Sequence, residues 1–316
     1  MIKNVLYIFF TLNLALLSLS SCRERVVESG KTEHVVKLST PLVPSVLSDE
    51  KSRMEYLVKH YWDSISFQDS SYLEREEDLE RFFVQYLSLL NRVSTDISHS
   101  SFLEFCRDAM GAHSQFRDKV LELTDKMLYH PNSPLRDEEL YIILLETAIQ
   151  SNSIPEYVKE KFFAQLSLAQ KNRPGERAEN FSYITTKGDS GTLFTIDAPY
   201  TVLMFYEPEC HSCEAAVEYL NRELGKFDLE NRVHFISVYT GDDVNLWYKS
   251  SKKFPHYWSV AKDIDMQIAY GKLYDRRASP SIYLLDKRKT VILKDAMPDV
   301  TVQRLVHLLR GTTHNL

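Results

Sequence analysis

Cysteine is scarce in this 316-residue chain, occurring only as Cys22, Cys106, Cys210 and Cys213. A structural zinc site normally takes four Cys or His ligands in a tetrahedral array. Beyond the pair at 210 and 213 no such set stands nearby, and His211, inside the pair, is poorly placed to share a tetrahedron with both sulfurs. A surplus of basic charge is also missing. With 38 Lys and Arg against 44 Asp and Glu the formal charge is −6, and no basic block marks a nucleic-acid surface. The apolar stretch from Val5 to Leu19 is fifteen residues long, short of the roughly 20 needed to span a bilayer. No nicotinamide or flavin motif is present, and His60, His99, His113 and His130 match no metal-ligand spacing. What is there is ordinary for a globular protein: 44% hydrophobic and 26% charged residues permit a sizeable core. The length suggests two domains.

The informative stretch is Phe205-Tyr206-Glu207-Pro208-Glu209-Cys210-His211-Ser212-Cys213. Thr201 to Tyr206 is apolar, β-branched and aromatic, and reads as a buried strand. Glu214 to Leu220 has helix formers with apolar positions at helical spacing. The Cys-x-x-Cys therefore sits where a strand turns into a helix. The first amides of a helix lack intrahelical partners and carry its positive dipole end, so a thiol placed there ionises more readily and becomes a nucleophile. A cysteine one turn later lies on the same side and can attack a mixed disulfide from within. Cys210 is the expected attacking thiol and Cys213 the expected resolving one.

Some 70 residues on, Arg277-Ala278-Ser279-Pro280-Ser281-Ile282-Tyr283-Leu284-Leu285-Asp286 places a proline just before a β-like run. Taken together, strand, Cys-x-x-Cys, helix and proline-led strand over residues 176 to 312 resemble the thioredoxin superfamily, in particular its TlpA-like thiol–disulfide oxidoreductases. The resemblance implies a mixed sheet flanked by helices. It also implies a cis-proline at Ser279-Pro280 facing the cysteines, with the Ser279 backbone offered to an extended substrate. The chain departs from thioredoxin in two places. Met204 stands where thioredoxin has a buried aspartate, so a carboxylate serving Cys213 must come from elsewhere, or water must do the work. Glu207 and Glu209 are the nearest, though a solvated acidic loop is the alternative, and a charged Glu207 facing the pair would oppose thiol ionisation. His211-Ser212 replaces Gly-Pro; a protonated His211 would favour the Cys210 thiolate, a neutral one much less. The Pro-x-x-x-Thr-x-x-Cys pattern of peroxidases is absent. A weaker alternative is copper handling through Cys210, Cys213 and His234 or His256.

Upstream, Lys3 and the apolar stretch end in Leu19-Ser20-Ser21-Cys22, which looks like a bacterial lipobox. That resemblance implies a signal peptide over 1–21 and acylation of Cys22, which would hold the mature chain at a membrane of the cell envelope, where disulfides persist. Residues 22–48 are polar, without sustained period, and read as a tether. Residues 49–173 read as an all-α domain. Helical stripes run through Met54, Leu57, Val58 and Tyr61, through Leu79 to Leu90, and through Phe102, Phe105, Cys106 and Met110. Others follow at Phe116 to Met127, at a helix opened by Ser133-Pro134 as cap and first residue, and from Pro155 to about Ala169. The aromatics read as core and Cys106 as a buried, inert thiol. Leu128 to Tyr141, with Lys171-Asn172-Arg173-Pro174-Gly175, Ala178 and Phe181, resembles a helical domain of unknown function that precedes thioredoxin-like domains in bacterial lipoproteins. Residues 174–316 form the expected α/β domain: a hairpin around 187–191, a strand at 233–239, and a helix from Asp242 to Ser250. An edge element at 258–260, a helix over 264–274, strands at 282–285 and 291–294, and a helix over 300–309 complete it.

The expected activity is disulfide exchange with envelope proteins, running in the reducing direction. It would need no cofactor beyond the Cys210–Cys213 pair and would draw on an upstream electron donor. The alternative is a binding module whose helical half captures a partner.

Overall fold

The computed structural model describes residues 38–311. The expected signal peptide, the anchor Cys22 and the first part of the tether lie outside the described residues. The tether's end, residues 38–48, has no helix or strand and leaves Leu42 and Val46 exposed. It meets the first helix through Arg53, whose Nη1 donates to the Leu47 carbonyl at 3.0 Å.

The first half is all helix: α1 (Glu50–Lys59), α2 (Glu76–Leu90), α3 (Thr95–Met110), α4 (Ser114–Thr124), α5 (Glu138–Gln150) and α6 (Glu156–Ala169). Aromatics on the inward stripes interlock. Trp62 lies 4.6 Å from Phe105 and 5.2 Å from Phe82 between ring centroids, and Tyr61 and Tyr86 are fully buried. Their hydroxyls still find partners, Tyr61 on the Phe82 carbonyl and Tyr86 on Ser101, which burial of a phenol requires. Cys106 is buried in this core, and burial pushes its thiol up. The helix expected from Ser133 begins later. Ser133 turns its hydroxyl onto the Met127 carbonyl at 2.5 Å, and Asp137 caps α5 instead, accepting from the Leu140 amide at 3.1 Å.

The second half is a mixed seven-stranded sheet. Its strands are β1 (Ser182–Thr185), β2 (Ser190–Thr192), β3 (Tyr200–Tyr206), β4 (Val233–Tyr239), β5 (Ser259–Asp263), β6 (Ser281–Asp286) and β7 (Val291–Leu293). They lie in the order β2-β1-β5-β4-β3-β6-β7. The helices here are α7 (His211–Leu224), α8 (Val244–Ser251), the short α9 (Gln267–Gly271) and α10 (Pro298–Gly311). β3 is central, parallel to β4 and antiparallel to β6, and alternation along it feeds both faces. Val202, Met204 and Tyr206 pack with the inner stripes of α7 and α10. Leu203 and Phe205 pack with Phe181, Leu193, Ile268 and Tyr274 on the other face. Three local expectations change. The hairpin's second arm, expected over Thr192 to Ile196, is instead Ser190–Thr192, and Leu193–Thr195 closes into a 3₁₀ turn whose capping box joins Thr192 and Thr195. The element near Trp258 is no edge but an interior strand between β1 and β4. The helix over 264–274 shrinks to α9, flanked by Met266 and Lys272 in the left-handed region.

The two halves meet along a charged seam. Lys294 at the end of β7 places Nζ 2.5 Å from Glu138 and donates to the Ala169 and Lys171 carbonyls. Arg136 pairs with Asp295 at 2.6 Å. Arg277, held by Asp275, lies 3.2 Å from the Tyr129 ring centroid and donates to that residue's carbonyl.

Candidate active site

Four residues past the end of β3, Cys210 takes an extended conformation and caps α7. Its sulfur accepts the Cys213 amide N–H at 3.2 Å, so one of the free first-turn donors of the helix is spent on Sγ. Cys210 and Cys213 are joined as a disulfide, Cα to Cα 5.3 Å. Cys210 is half-buried and Cys213 buried at 3% exposure, so an incoming sulfur meets Cys210 first.

Facing the pair is the loop into β6. The Ser279–Pro280 bond is cis, as the sequence resemblance implied. The Ser279 carbonyl oxygen lies 3.7 Å from Cys210 Sγ and accepts the Ser212 hydroxyl at 2.9 Å. Ser212 Oγ also lies 3.1 Å from Cys210 Sγ. Ser279 contributes its side chain as well, with Oγ 3.2 Å from Cys213 Sγ. Sequence reasoning used only the backbone of Ser279; nothing in the residue before a proline announces that its hydroxyl will reach the second sulfur. His211 is the exposed first residue of α7.

Met204 is fully buried in the apolar core with Cys213, so that position supplies no proton acceptor. Glu207 and Glu209 part company. Glu209, at positive φ, turns toward Lys249 at 3.4 Å. Glu207 borders a small cleft shared with Cys210 and Cys213. Partial burial raises its carboxyl above the usual range, and Arg276, 4.0 Å away, opposes that shift. Arg276 is itself oriented by a hydrogen bond to Thr240. Neither arginine of the 276–277 pair was singled out from sequence, because Arg276 meets Thr240 and Glu207 and Arg277 meets Tyr129, all far from them in the chain.

The copper alternative does not assemble. His234 sits at the start of β4 opposite Thr201, at the end of the sheet away from Cys210. Among the described residues no cluster of three or more His, Cys, Asp or Glu could hold a metal ion. No described helix is long and apolar enough to cross a membrane.

A second opening adjoins the disulfide. A cavity of about 470 Å³ runs from Ser212 past Pro280 to Pro298 and takes one wall from Pro131 and Asn132 of the helical half.

Residues 19–172 match a family model described as a domain of unknown function, DUF5106. No curated protein matches the chain. The crystal structure of a thioredoxin-like protein from Bacteroides caccae is 34% identical, with a TM-score of 0.82, and the match covers 85% of this chain and 98% of that one. The C-terminal domain of an uncharacterized protein from Bacteroides fragilis is 36% identical, with a TM-score of 0.41 over 43% of this chain and 98% of that one. The thioredoxin domain of a thiol-disulfide oxidoreductase from Bacteroides vulgatus is 20% identical, with a TM-score of 0.39 over 43% of this chain and 97% of that one.

Proposed function

This chain belongs to the thioredoxin-like proteins, and from that premise we propose that it is a membrane-anchored thiol–disulfide oxidoreductase that reduces disulfides of cell-envelope proteins. The observation carrying the proposal is the placement of Cys210 Sγ as the cap of α7, half-exposed and opposite Ser279, with Cys213 buried behind it. In the reduced protein the Cys210 thiolate attacks one sulfur of a substrate disulfide. A mixed disulfide forms and the other substrate sulfur leaves as a thiolate. Cys213, deprotonated, attacks Cys210 Sγ and expels the second substrate sulfur. Two electrons have then passed to the substrate, and the Cys210–Cys213 disulfide remains. An external dithiol donor resets it, so no cofactor is needed. Ser279 and Pro280 orient the substrate segment, while His211, Ser212 and Glu207 set the electrostatics around the pair.

The test is turnover of insulin disulfides by the purified protein beside its Cys210→Ser variant. The parent should be active and the variant inactive; equal rates would end the reading. The envelope location rests on Lys3, the apolar stretch and the Leu19-Ser20-Ser21-Cys22 sequence. Cys22→Ala should move the protein from the membrane fraction to the soluble one.

A further inference from the structure

The catalytic face is not made by the sheet half alone. The cavity beside the disulfide is walled by Ala215, Ala216 and Tyr219 on α7, by Pro280, by Ala296 and Met297 before α10, and by Pro298 at its start. Its far side is closed by the turn 130–136 of the helical half, which presents Pro131 and Asn132. That turn is not loosely placed. Arg136 at its end is clamped to Asp295 at 2.6 Å and to the Asp295 carbonyl, and Arg277 grips the Tyr129 carbonyl just before it. The Arg277 contact also reaches the proline loop, since Arg277 stands two residues before Ser279.

The lining chemistry is mostly apolar. Met297 is 64% exposed at the rim, and the nearest cation, Arg136, is already neutralised by Asp295. Asp299, exposed in the first turn of α10, adds a negative charge at the far end. A cleft of this size lies within the range of roughly 300–1,000 Å³ that accommodates ligands, and it starts at Cys210's neighbour Ser212 and continues past Pro280.

We propose that the 130–136 turn of the helical domain is the specificity wall of the redox site, and that the cavity takes an extended polypeptide segment carrying an apolar side chain beside its disulfide cysteine. This rests on the oxidoreductase reading above. The helical half thereby selects substrate: an apolar side chain is buried between Met297, Tyr219 and Pro131, while an acidic one is desolvated facing Asp299.

The test compares two short glutathionylated peptides, identical except for Phe or Asp beside the cysteine, with the full chain as catalyst. The parent should prefer the Phe peptide in kcat/KM by about tenfold, the order expected for one apolar contact in a pocket. Asn132→Trp, at an exposed turn position, should fill the cleft and bring the two rates together. Pro131→Lys should shift the preference toward the Asp peptide. A parent that turns over both peptides equally, or either variant keeping the parent's ratio, overturns the specificity wall and leaves the redox reading intact. A parent that turns over neither peptide removes the redox reading itself.

Discussion

The Ser212 hydroxyl has one hydrogen and two acceptors, Cys210 Sγ at 3.1 Å and the Ser279 carbonyl at 2.9 Å. While the sulfur is bound in a disulfide it accepts weakly and the carbonyl holds the hydrogen. On reduction a thiolate becomes the stronger acceptor, and the hydroxyl can turn to it. Hydrogen bonds to charged groups contribute about 1.5–3 kcal/mol, so Ser212→Ala should slow alkylation of reduced Cys210 at neutral pH by about tenfold. An unchanged iodoacetamide rate would dismiss that role. A second residue-scale prediction concerns the opposite end of the sheet. Burial holds the His234 imidazole below its usual range, and the Lys289 charge adds to the effect. The unfolded chain therefore binds a proton at this site before the folded one does. Stability from His234 is complete above the unfolded value of about 6.5 and declines as pH falls through it toward the folded one. His234→Gln should flatten the acid-side loss in urea midpoint between about pH 7 and pH 5; a slope identical to the parent's would place the loss elsewhere.

At the scale of elements, Asp137 starts α5 because its carboxylate satisfies the Leu140 amide. Asp137→Ala should cost about 0.5–2 kcal/mol, measured by urea unfolding. The sequence placed that start at Ser133-Pro134, a pairing that suits a helix cap locally; Ser133 Oγ does accept the Leu135 amide at 3.2 Å, but the chain only turns there and the helix starts at Glu138. The same limit governs the other misses. Trp258 to Val260 read as an edge because short strands cannot reveal which neighbours flank them. The 264–274 stretch read as a helix although Met266 and Lys272 both leave helical φ. By contrast β3, β4 and α7 were legible, since each carries its signal within a few residues, an apolar run or a motif at a helix start, whereas the cis Ser279–Pro280 step came from the family resemblance. The sulfur site was readable for that reason. Its serine hydroxyl on Cys213 and its helical-domain wall were not, because Ser279 lies 66 residues from Cys213 and the 130–136 turn about 80 residues before the motif.

For the whole molecule, the seam decides whether the helical half is an appendage or part of one folding unit. Lys294 is the test, for its side chain is 6% exposed and its ammonium satisfies three oxygens at once: Glu138 and the Ala169 and Lys171 carbonyls. Burial raises the Glu138 carboxyl and Lys294 pulls it back down. Lys294→Met strands that carboxylate and both carbonyls. Removing one partner of a buried pair costs about 3–5 kcal/mol, and this Glu138 sits toward the solvated edge at 22% exposed, so the lower end applies. Without its partner Glu138 titrates higher still, and its protonation cancels the stranded charge. The variant should therefore be weakened more at neutral pH than in mild acid, a difference that equal losses at both would refute. Because Arg277 carries the same seam to the proline loop, the damage should not stay in the helical half. Trp62 reports on the helices and Trp247 and Trp258 on the sheet. Variants keeping Trp62 alone or the sheet pair alone should give coincident unfolding midpoints in the Lys294→Met background and the parent alike, whereas a helical half that melts first would make it a separable attachment.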